Sequence, residues 1–296
     1  MKRTAIIAAV FLAALLANSV ERASAAAASV ADPMVEARAR VGGLLPPGSE
    51  GWVNAQRKAL EKRQPPAAAP ARQPQKPPKP STRAHPLYLK LTRGDPSARM
   101  VALTFDDGPH PEFTSKLLAV LDKYNVKATF FVVGKMAEKC PDLVRKELAA
   151  GHEIGNHTYS HANLAKLSES GAAAELKECE DTLREITGEK AKYCRPPGGR
   201  YDREAVIAAS QMGLTTVLWT DNSADYLGLG ERKLQRRVLS RVTPGGIILM
   251  HDGVQQTIDV LPAIIEKLRS KGYRFVTLSE LQAEAAKRSN PAHTHA

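Results

Sequence analysis

The feature that most constrains the fold is a regular alternation of two hydrophobic patterns from residue 87 onward. Short apolar runs, each of the length of a buried strand, alternate with longer stretches whose apolar residues recur at helical spacing. Such alternation is typical of βαβ units and predicts a mainly parallel sheet. The seven predicted strands are residues 101–105, 128–133, 153–156, 191–194, 215–219, 246–250 and 273–277.

The segments between these strands predict amphipathic helices, and a last helix follows the seventh strand. Seven strands are one short of a complete eightfold barrel, so we predict an α/β fold, a distorted and incomplete (β/α)7 barrel. This domain is expected to span residues 87–288, followed by a disordered tail at 289–296. The predicted helices are residues 111–124, 136–150, 168–187, 203–212, 232–241, 261–271 and 279–288.

The N-terminal part of the chain is expected to lie outside this domain. Residues 1–25 begin with two basic residues, continue with a short apolar stretch and end in Ala-Ser-Ala, a pattern typical of a Sec-type signal peptide. The protein is therefore predicted to be periplasmic or secreted, with an uncleaved N-terminal anchor as the alternative. Residues 26–63 are predicted to be weakly ordered, and residues 64–86, with eight prolines, to form an extended linker.

The net charge of +11 is concentrated in the N-terminal arm. Residues 1–86 hold 13 Lys+Arg and 5 Asp+Glu, whereas residues 87–296 hold 29 and 26. The arm is expected either to associate with anionic polymers or lipids of the cell envelope or to be a solvated linker. The domain is nearly balanced in charge and the aromatic content is 5%, so nothing indicates nucleic-acid binding. The sequence does not indicate an oligomeric state.

Three cysteines, Cys140, Cys179 and Cys194, allow two interpretations in an exported protein. One disulfide can form and leave one thiol, although the sequence does not identify the pair. All three can equally be buried as small apolar side chains.

Ionisable side chains follow five of the seven predicted strands. The C-terminal ends of parallel barrel strands meet at one rim, and active sites gather there. We therefore expect these side chains to lie together, although each alone is compatible with an ordinary turn or loop. They are Asp106 and Asp107 after the first strand, His157 and His161 after the third, Arg195 after the fourth, Asp221 and Asp225 after the fifth, and His251 at the end of the sixth.

Two of these groups predict a metal site. His157 and His161 are four residues apart, so a single helical turn would bring both imidazoles to one side. One carboxylate from Asp106 or Asp107 would complete a facial set of three ligands with open positions, as a hydrolytic metal requires. The other carboxylate would then lie beside the site and accept a proton. This ligand set suits zinc and also Co2+, Ni2+, Mn2+ or Fe2+.

Six motifs, in this order, carry a resemblance to a known family: TFDDGP, KATFFVVG, HEIGNHTYSH, RPPGG, LMHDG and KGYRFVTLSEL. Over residues 99–282 the chain resembles polysaccharide deacetylases of carbohydrate esterase family 4, the group that includes the nodulation chitooligosaccharide deacetylase. The resemblance implies a distorted (β/α) barrel and a divalent metal, usually zinc. It implies Asp107, His157 and His161 as metal ligands and Asp106 as the general base, paired with and oriented by Arg195.

The resemblance also implies the acid that completes the reaction. His251 would protonate the leaving amine, and Asp225 would hold and tune His251. Two motifs depart from the family pattern: Gly198 replaces an aromatic residue but keeps a backbone N–H for the oxyanion, and in another motif Asn222 replaces an aspartate and Tyr226 a tryptophan. Gly198 and Asn222 are the departures that favour a pseudoenzyme. Trp219 is expected either in the core or along the acetyl pocket.

The expected activity is removal of N-acetyl groups from a glycan that contains N-acetylglucosamine. Chitooligosaccharide, peptidoglycan and secreted polyglucosamine are all compatible with the sequence. A glycan-binding pseudoenzyme and an amidase for non-sugar substrates are the alternative hypotheses.

Overall fold

The computed structural model describes residues 90–289. The predicted signal peptide, weakly ordered segment, linker and residues 290–296 of the predicted tail lie outside these residues. The described chain forms one nine-stranded sheet in which every strand pairing is parallel. Its strands are β1 (Lys90–Leu91), β2 (Met100–Asp106), β3 (Thr129–Val132), β4 (Glu153–Asn156), β5 (Tyr193–Cys194), β6 (Thr215–Val217), β7 (Asp221–Asn222), β8 (Gly246–His251) and β9 (Arg274–Val276).

The strand order confirms the predicted incomplete barrel. The sheet runs β1-β6-β5-β4-β3-β2-β8-β7, and β9 pairs with the first half of β2. Within the described residues β1 and β7 form the two edges and do not pair with each other, so the barrel stays open. The seven predicted strands are all present, and the two additional strands have only two residues each.

Helices connect most successive strands of the sheet, whereas loops without a helix join β1 to β2 and β6 to β7. Ser168 caps the long helix that follows β4 by accepting a hydrogen bond from the Gly171 N–H, and Gly188 ends that helix in a left-handed conformation. The α-helices of residues 90–289 are α1 (Thr114–Lys123), α2 (Gly134–Lys139), α3 (Pro141–Ala149), α4 (Glu169–Thr187), α5 (Arg203–Gln211), α6 (Glu231–Arg241), α7 (Gln255–Ser270) and α8 (Leu278–Ser289).

Two of the predicted helices differ from the structure, and proline is involved in both cases. The single helix predicted at residues 136–150 is two helices, because Pro141 begins α3 at a position where its missing N–H is not needed. The helix predicted from residue 261 begins at Gln255, and Pro262 lies inside it. A proline after the first turn lacks one helical hydrogen bond, which burial of the apolar face of α7 against the core offsets.

The central strand β2 is buried along its whole length. Helices pack against the outer face of the sheet, and its inner face lines the interior of the open barrel. Both faces are therefore buried, as expected for parallel strands. Phe105 packs against Phe130 of the neighbouring strand with ring centroids 5.3 Å apart. A rigid strand of this kind fixes the position of whatever side chains stand at its C-terminal end.

The cysteines form no disulfide in the structure. Cys179 and Cys194 are buried, and Cys140 is half-buried. The second of the two sequence interpretations, burial as small apolar side chains, therefore describes Cys179 and Cys194. Among the described helices, none combines the length and the apolar character needed to cross a membrane.

Candidate active site

The two adjacent aspartates end β2 and face different partners. Asp106 is the last residue of β2, and Asp107 follows in a left-handed conformation with φ of 75°. The backbone carbonyl of Asp106 accepts a hydrogen bond of 2.8 Å from the Asp252 N–H. Gly108 comes next, and any Cβ there would lie 2.5 Å from Oδ2 of Asp252. This close contact with Asp252, the residue that follows β8, fixes the turn that separates the two carboxylates.

His157 and His161 come together as predicted, although the predicted reason is wrong. The segment is a loop rather than a helical turn, and both Thr158 and His161 have positive φ, 64° and 58°. The Thr158 N–H binds the side chain of Asn156, and the Ser160 N–H binds Glu175. Because these partners occupy the N–H groups of the loop, helical hydrogen bonds do not form there.

These two histidines and Asp107 form a compact group of possible metal ligands. One ligand atom from each residue lies within 4.8 Å of the other two. Oδ1 of Asp107 is 3.1 Å from Nε2 of His161 and 3.4 Å from Nε2 of His157. Two imidazoles and one carboxylate with one side exposed to solvent are a donor set that fits a catalytic divalent metal.

The tautomer of His157 also suits a metal ligand. Its Nδ1 lies 2.7 Å from the backbone carbonyl oxygen of Arg195. A carbonyl oxygen can only accept, so Nδ1 carries the hydrogen and the Nε2 lone pair remains available on the side of Asp107.

The Asp107 carboxylate and the His161 imidazole each favour the charged form of the other. Burial raises the pKa of Asp107, but the His161 charge and hydrogen bonds from both histidines outweigh burial and hold it well below its usual value. Burial conversely lowers the pKa of His161, but the Asp107 carboxylate raises it above the ordinary value. The group therefore keeps an ionised carboxylate, the form that binds a cation.

Asp106 makes a different and fully buried contact. Nη1 of Arg195 donates to Oδ1 of Asp106 at 2.7 Å, and the two side chains are 0% and 5% exposed. The same Nη1 lies 2.7 Å from Oγ1 of Thr104, and the guanidinium carbon is 4.1 Å from the centre of the Phe131 ring. The other carboxylate oxygen of Asp106 is 3.7 Å from Nε2 of His157. Asp106 therefore lies beside the ligand group with its charge compensated by an immobile guanidinium.

Thr104 is a residue that sequence reasoning missed. It lies two positions before Asp106, so alternation along β2 places both side chains on one face of the sheet. A threonine at that spacing in a strand of otherwise apolar residues was the available signal.

Strand β8, which was the sixth predicted strand, ends in His251, and His251 pairs with Asp225 beside the Asp106–Arg195 pair. Asp106 and His251 are register partners on the neighbouring strands β2 and β8. Nδ1 of His251 is 2.7 Å from Oδ1 of Asp225, and the His251 N–H donates to Oδ2 at 2.8 Å. Thr257 of α7 also donates to Asp225, a contact that nothing in the sequence indicated.

The electrostatics of this pair favour a charged imidazole. Burial lowers the pKa of His251, but the carboxylate of Asp225 outweighs burial and raises it to about 9. Burial raises the pKa of Asp225, but the positive His251 imidazole and its hydrogen bonds outweigh burial and bring this pKa below its usual value. His251 is thus protonated at neutral pH, and Nε2 remains as its second donor.

The three residues expected on the substrate side occupy different environments. Tyr226 is exposed and packs edge-on against His251, with ring centroids 5.2 Å apart. Gly198 is exposed and has φ of 62°, and a Cβ there would lie 3.8 Å from Nε of Arg200, so the Arg200 side chain stands beside this position. Trp219 is half-buried against the core and passes so close to Gly199 that a Cβ there would lie 2.7 Å from its ring.

Asp221, also predicted at the rim, is buried in β7, and its carboxylate oxygens have no hydrogen-bond partner in the described part of the chain.

Comparison with known proteins identifies the relatives of this domain. Residues 93–217 match the family model described as polysaccharide deacetylase. The chain is 40% identical over 198 residues to a peptidoglycan-N-acetylglucosamine deacetylase of Bacillus cereus, a match that covers 66% of this chain and 72% of that protein.

Solved structures agree. The Bc1960 peptidoglycan N-acetylglucosamine deacetylase, in complex with 4-naphthalen-1-yl-N-oxidanyl-benzamide, is 39% identical with a TM-score of 0.63, covering 65% of this chain and 92% of that one. BA3943 of Bacillus anthracis, described as a CE4 family pseudoenzyme, is 31% identical with a TM-score of 0.63, covering 65% of this chain and 68% of that one. The chain therefore belongs to the polysaccharide deacetylases of carbohydrate esterase family 4, a family of metal-dependent enzymes that remove N-acetyl groups from glycans.

Proposed function

We propose that this chain is an exported, zinc-dependent deacetylase that removes N-acetyl groups from N-acetylglucosamine residues of peptidoglycan. One observation carries the proposal: Asp107, His157 and His161 form a tight ligand group, while Asp106 stands beside that group and is bonded to Arg195 instead. A ligand group and a separate neighbouring carboxylate are what metal-assisted amide hydrolysis needs.

The ligand group would hold the metal. Zinc in catalytic sites commonly has three protein ligands, two of them imidazoles with a carboxylate, and keeps a position for water or substrate. A divalent cation held there would polarise the acetyl carbonyl and lower the pKa of the attacking water. The Arg195 carbonyl fixes the ring of His157, and the loop from Asn156 to His161 fixes the second imidazole.

Asp106 would act as the general base. Its Oδ1 is held by Arg195, and its Oδ2 lies toward the ligand group, 3.7 Å from Nε2 of His157. This second oxygen, which Arg195 does not hold, would take a proton from water as the oxygen of that water attacks the acetyl carbon. The backbone N–H of Gly198 is the donor proposed for the oxyanion.

His251 would act as the general acid. Asp225 orients the ring through Nδ1 and keeps it protonated, so Nε2 can give its proton to the sugar nitrogen as the C–N bond breaks. Acetate and the free amine leave, and the proton taken by Asp106 returns to solvent. A base and an acid of opposite protonation state on adjacent strands allow both transfers in one site.

The choice of peptidoglycan rests on the relatives. The Bacillus cereus protein and the Bc1960 enzyme are both named for N-acetylglucosamine of peptidoglycan. Export through residues 1–25 would bring the domain to that polymer, and the basic residues of the N-terminal arm would associate with the envelope.

A glycan-binding pseudoenzyme is the second candidate, because BA3943, a protein of similar fold and 31% identity, is described as one. Gly198 favours it, since a glycine with the Arg200 side chain beside it replaces the aromatic residue of the family pattern. Acetate release separates the two candidates.

The test is a substrate panel with metal control. The purified protein is incubated with peptidoglycan, acetylated chitooligosaccharides, polyglucosamine and small acetamides, each with added zinc and with a chelator. We expect zinc-dependent acetate release from peptidoglycan. Binding of glycan and zinc with no acetate release from any substrate would support the pseudoenzyme instead.

A further inference from the structure

Helix α6, which follows the Asp225–Tyr226 segment along the chain, carries an exposed basic face. This basic face consists of Arg232, Lys233 and Arg236, all exposed. Within residues 90–289 none of the three makes an ion pair or a side-chain hydrogen bond. Glu231 is the single acidic residue of the helix.

The basic face has a charge spacing that favours binding of another molecule. Several exposed cations of other helices pair with an acid three or four positions away, as for Lys116–Glu112, Arg145–Asp142 and Lys177–Asp181. Arg232 and Arg236 instead place two like charges one turn apart, an arrangement that destabilises an isolated helix. The helix is anchored by burial of Leu234 and Val238, so local stability does not account for the arginines.

Arg232 and Arg236 share the outer surface of α6 with Gln235, Leu239 and Ser240. Guanidinium groups bind carboxylates in bidentate fashion, while an amide, a hydroxyl and an apolar side chain are groups that contact sugar and peptide. The outer surface of α6 therefore combines anion recognition with groups suited to a mixed polar ligand.

Two contacts connect α6 to the chain segment that carries Asp225. Nε of Arg237 donates to the backbone carbonyl of Asn222 at 3.1 Å, three residues before Asp225. Tyr226 packs on His251, and α6 begins five residues later. Arg232 is six positions after Tyr226, so their Cα atoms are at most about 22 Å apart. A polymer bound in the site can reach the basic face within a few sugar units.

The complementary charge has to come from another molecule. Residues 1–86 hold 13 Lys+Arg against 5 Asp+Glu, and residues 290–296 contain no acid, so the rest of the chain repels the basic face on average. The sugar–peptide polymer proposed as substrate carries carboxylates, whereas an oligomer of N-acetylglucosamine is neutral.

We infer that the basic face of α6 binds carboxylates of the glycan polymer whose acetylated sugar occupies the active site, and so selects an anionic polymer over neutral chitin-type glycans. This inference rests on the proposed deacetylase function and names its substrate class. It assigns Arg232, Lys233 and Arg236 to substrate selection and gives them no part in the chemistry.

The test compares a triple variant, R232Q/K233Q/R236Q, with a control, K123Q/K139Q/K146Q, that removes three exposed charges from other helices. Substrates are peptidoglycan freed of phosphodiester-linked polymers by hydrofluoric acid, and neutral tetra-N-acetylchitotetraose. At low salt we expect kcat/KM on peptidoglycan to fall about tenfold in the triple variant only, with chitotetraose turnover unchanged. High salt should remove most of the difference.

A second measurement separates failure of the inference from failure of the proposed function. Sedimentation with the same peptidoglycan measures binding without turnover, and the triple variant should bind about tenfold more weakly than wild type and control. If no substrate releases acetate, the deacetylase proposal fails and this binding measurement still decides the inference. Equal binding of all three proteins, or an unchanged ratio of kcat/KM between the two substrates, would overturn it.

Discussion

Arg195 joins His157 and Asp106 through two different groups of one residue. Its backbone carbonyl accepts the Nδ1 hydrogen of His157, and its guanidinium donates to Asp106, both at 2.7 Å. The side chain is fully buried and packs on Phe131, so neither contact can adjust independently. A metal ligand and the proposed base are thus held at a fixed separation by a residue that needs to touch neither metal nor substrate.

Replacing Asp106 by Asn should separate metal binding from turnover. The amide is nearly isosteric and still accepts from Arg195, but it cannot take a proton from water. We expect zinc content to stay at the wild-type level and kcat to fall about 10²- to 10⁴-fold. Elemental analysis and acetate release measure the two quantities, and wild-type turnover in this variant would rule out Asp106 as the base.

Replacing His157 by Ala should remove the metal. His157 is one of three proposed ligands and is 1% exposed, so no other side chain can take its place without movement of β4. We expect zinc stoichiometry after dialysis to fall well below one per chain, whereas the Asp106→Asn protein serves as the control that keeps it. Undiminished zinc in His157→Ala would place the metal elsewhere.

The sequence predicted which residues meet at the rim of the sheet, but it did not predict the backbone conformation that brings the two histidines together. Residues 246–250 were predicted within one residue of the bounds that the structure has, because Ile-Ile-Leu-Met is the apolar run expected of a buried strand in a parallel sheet. The rule that parallel strands share a rim then brought Asp106, His157 and His251 together. The loop from His157 to His161 was mispredicted as a helical turn, since the partners that prevent helix formation, such as Glu175, lie outside the segment.

Other features were unpredictable for similar physical reasons. Strands β1 and β7 have two residues each, too few to show any periodicity. Thr257 reaches Asp225 from α7, a contact between elements 32 positions apart that no local pattern encodes.

The proposed acid should set the alkaline limit of activity. His251 must be protonated to act, and Asp225 raises its pKa to about 9 despite burial, so kcat should fall as pH rises through about 9. Asp225→Asn removes the negative charge beside His251, so the pH at which kcat falls should be about one to two units lower. Thr257→Val removes only one hydrogen bond to Asp225 and is expected to shift it less. If kcat of Asp225→Asn falls at the same pH as that of the wild type, the group that titrates is not His251.

Glu147 of α3 should limit stability at neutral and alkaline pH. It is 0% exposed, and both carboxylate oxygens lack a hydrogen-bond partner within the described residues. Burial, with a smaller contribution from Asp252, holds its pKa well above 4.5, so the folded protein keeps this proton to a higher pH than the unfolded chain. As pH rises above 4.5 the unfolded state loses the proton first, and the contribution of Glu147 to stability declines with rising pH.

Glu147→Met fills similar space without a polar group and should remove this decline. We expect the free energy of unfolding to rise by about 1–3 kcal/mol at pH 8 and by less at pH 5, measured by urea denaturation. Glu185→Met, an exposed position on α4, is the matched control and should change neither stability nor its pH dependence appreciably. A loss of stability in Glu147→Met at both pH values would show that the carboxyl group has a stabilising partner, such as a buried water, and that its burial is not a penalty.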